Sequence, residues 1–371
     1  MQLRFVYYGI TVRLHFAKMQ KTFCLIMESG KQLALKGVSM NILILRENDI
    51  RRVFNMKDAI QANKDALAAW SAGKSVVPLR ITFPVKQHNG NSQYMPAYDP
   101  QADAVGLKIV SNYPNNREKG LLTTPALVVM VNTENGQPEA LINGTFLTRF
   151  RTGALSGVAT DLLARQNSRV FSMIGTGGQA ECQLEAVLTV RPALEEVRIY
   201  SRDQNHLSCF VKRMQDLFAE RFQVTISGAT SAEEVVRVAD ILTTVTTSEV
   251  PVLDGRWLNP GIHINGVGAY LPHTRELDET TVMRADRIYV DTRDGCLREA
   301  GDLLIPIQEE KLDLNRVCEL GELILGMVPG RRTQQEITLF KTVGFGGLDI
   351  VNGKRIVDRA KALGNVDFVN M

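Results

Sequence analysis

Apolar and polar positions follow two different periods along this chain, and the change between them divides it. From Met40, the run Asn41-Ile-Leu-Ile-Leu45 predicts a first buried strand. Asn55 is placed to cap a helix reaching about Trp70, with Asp58 in its first turn and Ile60, Leu67 and Trp70 near one face. Gly73 follows as a stop. Between Pro78 and Val131 the pattern turns to short strands, Arg80–Pro84, Ser92–Pro96, Ala104–Val110 and Ala126–Val131, separated by Asn, Gly and Pro turns. Asn135-Gly136 signals a hairpin. Ala140-Leu-Ile142 ends at Asn143-Gly144, and Thr145 is expected to cap a helix through Leu163.

From Ser168 strands and helices alternate. Val170–Ile174, Val197–Tyr200, Val224–Ile226, Ile241–Val245, His263–Asn265 and Arg287–Val290 read as strands. A helix opens near Gln179, and Ser231 with Glu234 suggests a capping box before another. Such alternation predicts an α/β fold with a doubly wound, Rossmann-type parallel sheet. Beyond about Asp313 the pattern reads as helical, a piece expected to pack back on the mixed β-rich beginning. The 371 residues exceed what one core of roughly 250–300 residues holds, so two domains are expected.

Composition narrows the class. Hydrophobic residues make up 44% and charged residues 22%, which excludes wholesale disorder. A net charge of +3 gives no case for a nucleic-acid partner. That charge resides in residues 1–39, which hold six basic residues and one acid, while the rest holds 37 basic and 39 acidic groups. Residues 1–39 form a leader open to three readings: an organellar transit segment, a structural arm, or untranslated sequence ahead of a true start at Met40. The third is favoured, because the domain pattern begins at Met40. The five cysteines, Cys24, Cys182, Cys209, Cys296 and Cys318, are widely spaced with no CxxC, which suits a reducing cytoplasm. No apolar run reaches the ~18 residues a membrane span needs, so no membrane partner is expected. The five histidines show no metal-ligand spacing, no GxSxG elbow appears, and no metal is expected.

The candidate chemistry lies in a loop and three cations. Gly175-Thr176-Gly177-Gly178-Gln179-Ala180 follows a strand and opens a helix. Its G-x-G-x-x-A pattern provides a tight turn, close approach for a pyrophosphate and a helix N-terminus beneath it. After the next strand come Ser201 and Arg202 rather than an acid, which favours NADP(H) over NAD(H). Asp203 leaves NAD(H) open, with helix capping as its other reading. Arg80, Lys108 and Arg151 sit at element ends or in apolar surroundings, Lys108 within Val105–Val110. Such cations either form structural ion pairs or face a cleft that takes a carboxylate.

The sequence resembles the ornithine cyclodeaminase/mu-crystallin family from Met40 to about Gly364. The resemblance is carried by Tyr94–Tyr98, Gly106–Val110 with Asn112 and Pro114, and Arg151-Thr-Gly-Ala-Leu-Ser156. Further stretches are Ile174–Ala180, Gly255–Gly261, His263-Ile-Asn265, Glu299–Asp302 and Glu336–Phe340. It implies a substrate and dimerisation domain from 40–160 and 337–371, with a Rossmann domain of 161–336 inserted, and a homodimer. It also implies that Arg80, Lys108 and Arg151 hold a substrate carboxylate near the nicotinamide, that Lys108 donates a proton, and that Thr152 joins the cofactor site. The family's lyases carry an aspartate where Tyr270 stands and a glutamate aligned with Gln93. Lacking both, the chain is expected to be an NAD(P)H-dependent reductase of small cyclic imino acids of the Δ1-pyrroline-2-carboxylate or ketimine type, with Tyr270 as a further candidate. Conversion of ornithine to proline and ammonia is the alternative. A non-enzymatic, crystallin-like binding protein is the third.

Overall fold

The structure, a computed structural model, describes residues 4–7, 10–13, 40–364 and 366–371. It divides into two units. The first comprises the N-terminal residues through Asn41 with Asn370 and Met371. In it β1 (Arg4–Tyr7) and β2 (Ile10–Arg13) pair antiparallel, and Met40 and Met371 exchange backbone hydrogen bonds of 3.1 and 2.9 Å. The leader reading of residues 1–39 otherwise lies outside the described residues. The second unit, Ile42–Val369, carries everything that follows.

Its first sheet is mixed. β3 (Asn41–Leu45) runs parallel to β8 (Pro138–Asn143). From β8 the order continues antiparallel through β7 (Ala126–Val131), β6 (Ala104–Asn112), β5 (Gly90–Asp99) and β4 (Ile81–Val85). Strand alternation sends Met95, Lys108, Val128 and Ile142 to the buried face. The opposite face leaves Ile81 and Leu127 exposed. Helices α1 (Glu47–Val53), α2 (Met56–Ser71) and α3 (Gly144–Leu163) share the core with this sheet. Asn55 caps α2 as expected, accepting from the Asp58 amide at 3.1 Å. Asn143, not Thr145, caps α3: its side chain accepts from Phe146 N at 2.9 Å, while Thr145 Oγ1 accepts from Ala126 N on β7. At the far end of α3, Arg191 donates to the carbonyls of Thr160, Asp161 and Ala164 and so satisfies the last turn.

The second sheet is eight-stranded and wholly parallel, in the order β11-β10-β9-β12-β13-β16-β14-β15. In chain order these are β9 (Val170–Ile174), β10 (Glu196–Tyr200), β11 (Thr225–Gly228), β12 (Ile241–Thr244), β13 (His263–Gly266), β14 (Arg287–Val290), β15 (Val317–Glu319) and β16 (Thr338–Lys341). The helices among them are α4 (Ala180–Val190), α5 (Gln204–Phe218), α6 (Ala232–Val238), α7 (Glu279–Arg284), α8 (Arg293–Glu299), α9 (Gly301–Gln308) and α10 (Leu320–Ile324). α11 (Gly346–Leu363) then packs on β5, β6 and β7, and β17 (Asp367–Asn370) adds the outer strand beside β3. The expected Rossmann-type strand order is therefore present, with its switch point between β9 and β12.

Three local expectations change. The stretch after Asp313 is not simply helical: β15 and β16 lie within it. Every residue of β16 is buried, including Lys341, whose charge is met by Asp302 from elsewhere in the chain. β16 also places 338–341 in the parallel sheet, past the boundary expected at 336. The capping box at Ser231 is half formed, since Glu234 turns instead to Thr230.

His263 is neutral core, not a ligand. Burial pushes its imidazole down to about 3, and its nitrogens meet Thr338 Oγ1 at 3.0 Å and Asn265 Oδ1 at 3.1 Å. Asn265 in turn donates to Thr160 on α3 at 3.1 Å, tying β13 to that helix.

Candidate active site

Three of the expected residues converge, and an acid that the sequence did not single out organises them. Lys108 points from β6 under α11, where it forms an ion pair with Asp349 at 2.7 Å. The second oxygen of the same carboxylate accepts Arg151 Nε at 3.0 Å. All three side chains are almost wholly buried. Arg80 joins from the far side, donating to the Gly344 and Val343 carbonyls at 2.6 and 3.0 Å and meeting Glu299 at 3.1 Å. Gly344 is the hinge of this arrangement. Its φ of +73° suits glycine, and a Cβ there would lie 2.7 Å from the Arg151 guanidinium.

The electrostatics follow from that crowding. Burial, the Arg151 charge and, more weakly, Arg80 push Lys108 down to about 7, against the pull of Asp349. Burial alone would raise Asp349, but Arg151 and Lys108 outweigh it and hold the carboxyl below its usual range. Glu299 is raised by burial despite Arg80. The result is a buried cluster in which two cations share the Asp349 carboxylate, one of them a lysine able to change protonation near neutrality. Asn63 and Asn352 brace it from behind: Asn352 donates to Asn63 at 2.8 Å, and Asn63 donates to the Arg151 carbonyl at 2.7 Å. Asp349 had one sequence signal, an acid inside the apolar run Leu348-Asp-Ile-Val351. Its partner could not be read without the fold.

Tyr270 stands in the turn after β13, and its hydroxyl accepts from Asn112 Nδ2 at 2.8 Å. Asn112 lies on the same strand and face as Lys108. Burial raises the Tyr270 phenol, with Arg80 opposing. Gln93 pairs with Val110 across β5 and β6. The carboxylates expected of a lyase are thus replaced by a phenol and an amide.

The phosphate loop forms at the end of β9. Gly175 has φ +113°, and a Cβ there would meet the Val245 carbonyl at 2.6 Å. Gly177 has open space where a Cβ would stand, and Gly178 has only the Arg149 stem, at 3.9 Å. These two glycines are therefore not dictated by the protein's own packing. They leave room for a ligand over the α4 N-terminus, whose N-cap, Gln179, makes no side-chain cap. The Arg149 Nε–H donor is buried without a partner at this edge, so the site fits a dinucleotide pyrophosphate, whose oxygens accept. Ala180 begins the helix and is fully buried. Thr176 Oγ1 bonds His206 Nδ1 at 2.9 Å. Thr152 Oγ1 donates to its own helix, at Thr148 O, and must turn to serve a ligand. Ser201 and Arg202 follow β10, and Arg202 forms no hydrogen bond or ion pair among the described residues. Asp203 caps α5 through the His206 amide at 2.9 Å, which was its alternative reading. Among the described residues no group of three or more His, Cys, Asp or Glu could hold a metal ion.

A model of the ornithine cyclodeaminase/mu-crystallin family matches residues 40–364. The chain belongs to that family. A Δ1-pyrroline-2-carboxylate reductase of Bacillus cereus is 35% identical over 320 residues, 86% of this chain and 97% of the relative. The structure of a Thermococcus litoralis Δ1-pyrroline-2-carboxylate reductase with NADH and L-proline superposes with TM-score 0.84 and 37% identity, covering 88% of this chain and 100% of the other. An archaeal alanine dehydrogenase dimer with bound NAD superposes with TM-score 0.81 and 31% identity, over 89% and 99% of the two chains. The family thus accounts for the fold read from the strand–helix alternation, and its members include NAD-bound proteins.

Proposed function

We propose that this protein is an NAD(P)H-dependent reductase of small cyclic imino acids of the Δ1-pyrroline-2-carboxylate type. The observation that carries the proposal is the surplus of cations around Asp349, facing Tyr270 and Gln93 rather than two carboxylates. A planar imino acid brings one carboxylate and one basic nitrogen. Arg151 and Arg80 take the carboxylate, because guanidinium forks match it bidentately. Lys108, held near neutrality, donates its proton to the imine nitrogen as the double bond is reduced. The bound dinucleotide supplies the hydride to the imine carbon. Asp349 keeps Lys108 and Arg151 in register between turnovers. Deamination of ornithine needs a base for the amine and for water, which the Tyr270 phenol and Gln93 amide do not supply.

The cofactor is held by Gly175, Thr176, Gly177, Gly178, Gln179 and Ala180 at the pyrophosphate, with Thr152 alongside. Ser201 and Arg202, which has no ion pair among the described residues, favour a 2′-phosphate, hence NADP(H). Two halves divide the work: the parallel sheet carries the cofactor, and the mixed sheet with α2, α3 and α11 carries the substrate. The exposed apolar face with Ile81, Phe83, Leu121, Leu122 and Leu127 is the surface on which two copies pair. Among the described residues no helix is long and apolar enough to cross a membrane, and four cysteines are free, in keeping with a cytoplasmic enzyme.

The test is one screen of cyclic imines and amino acids with both cofactors. NADPH oxidation dependent on Δ1-pyrroline-2-carboxylate is expected, with NADH a poorer donor. Ammonia release from ornithine with catalytic NAD⁺ would reject the reductase in favour of the cyclodeaminase. No turnover with any imine would favour a binding protein.

A further inference from the structure

We propose that Arg149 is a further ligand of the dinucleotide, binding its pyrophosphate from α3 on the opposite side of the loop from the α4 N-terminus. This rests on the reading of the chain as an NAD(P)H-dependent enzyme. Arg149 lies two residues before Arg151, so the helix turns it away from the Asp349 cluster. α3 and α4 pack closely here: a Cβ on Gly153 would lie 2.3 Å from the Cys182 carbonyl. That contact, one turn beyond Arg149, brings its stem to 3.9 Å from where a Gly178 Cβ would stand.

The guanidinium is under-used where it is. Its Nε is buried without a partner. Its one ion pair among the described residues is to Glu47, at 3.4 Å and about one-third exposed on both sides. The Phe146 ring lies 6.0 Å from its Cζ, at the limit of a useful cation–π contact. Glu47 has a better partner in Arg51 at 2.9 Å, and Arg51 continues to Glu181 in the first turn of α4 at 3.3 Å. Arg149 is therefore free to exchange a weak carboxylate contact for two pyrophosphate oxygens without leaving Glu47 unpaired. A planar fork with an inward Nε–H beside an open glycine pair suits a phosphate diester. Such a contact ignores the 2′ position, so it serves NADH and NADPH equally, whereas Arg202 discriminates between them.

Equilibrium binding of NADH, NADPH and ADP, followed by nucleotide fluorescence and by displacement, separates these roles without turnover. Arg149→Met is expected to weaken all three by about tenfold and to flatten the salt dependence of binding. Glu47→Gln breaks the same Arg149–Glu47 pair and is expected to leave affinity unchanged or improved. Arg149→Met binding all three within twofold of the wild type overturns the proposal, as does an equal loss in Glu47→Gln, which would assign the effect to structure. A wild-type protein that binds no dinucleotide overturns the reductase reading itself, a result distinct from a defect confined to Arg149→Met.

Discussion

Lys108 and Lys341 each meet an aspartate at 2.7 Å in the interior, one under α11 and the other against the turn that carries Tyr270. Both lysines are fully buried, yet burial and neighbours drive them in opposite directions. Lys108 falls to about 7 because, after burial, its next strongest neighbour is the Arg151 cation. Burial also pushes Lys341 down, but Asp302 and Glu276 outweigh it and raise the ammonium above its ordinary range. A third charge, not the pair distance, decides the outcome.

The remaining hydrogen bonds differ as well. Glu276 accepts the Thr246 and Gly268 amides at 2.5 and 2.6 Å, and Asp302 accepts the Glu276 and Leu277 amides at 2.7 and 2.9 Å. Lys341 completes the set on the Ala269 carbonyl at 2.5 Å. That cluster sets two carboxylates against one cation and ties strand ends together. The Lys108 cluster sets two cations against one carboxylate, and under the proposed function the substrate brings the second. The difference lies in the balance of cations and carboxylates in the two clusters.

The comparison can be broken at four points. Arg151→Ala should reduce kcat/KM by about a hundredfold or more, since a buried charge partner is removed, while dinucleotide binding persists. Unchanged turnover would take Arg151 out of the carboxylate clamp. Lys341→Met leaves Asp302 and Glu276 without a cation, so about 3–5 kcal/mol of stability should be lost, read as a lower melting temperature. A stable Lys341→Met protein would make the two clusters alike.

The pH dependence sharpens the contrast next. Lys108 is protonated below its pKa, so kcat/KM for imine reduction should be highest below about 7 and fall roughly tenfold per unit above it. Lys341 is raised, so the stability it contributes is full below its unfolded value of 10.5 and is lost only above that. Unfolding midpoints should therefore show no Lys341 step between pH 6 and 9, although activity titrates there. A rate that climbs through pH 7–8 would exclude Lys108 as the donor. The smallest effect is expected from Tyr270→Phe. It removes only the hydroxyl held by Asn112, so kcat should fall less than about tenfold, whereas a loss above a hundredfold would move the proton-donor role to Tyr270.

Much of this was legible beforehand where local rules operate. The glycine-rich turn after β9, the alternation from Ser168 to Val290 and the Asn55 cap follow from short-range pattern and appear in the structure at those positions. β16 escaped because its four residues end in Lys341, whose burial rests on the distant Asp302, and Asn143 displaced Thr145 as a cap because β7 claims the threonine hydroxyl. The three cations stood out as charges in apolar or small-residue settings. Their mutual arrangement did not, because Lys108 and Asp349 lie 241 positions apart and meet only when α11 closes over β6.

The residue types and their periods alone determined the α/β class, the glycine-rich turn after β9 and the absence of carboxylates at 93 and 270. Tertiary structure alone decided that Lys108 titrates near neutrality and Lys341 does not. A pKa depends on burial and on every charge within a few ångströms, and those neighbours are set by packing rather than by sequence order.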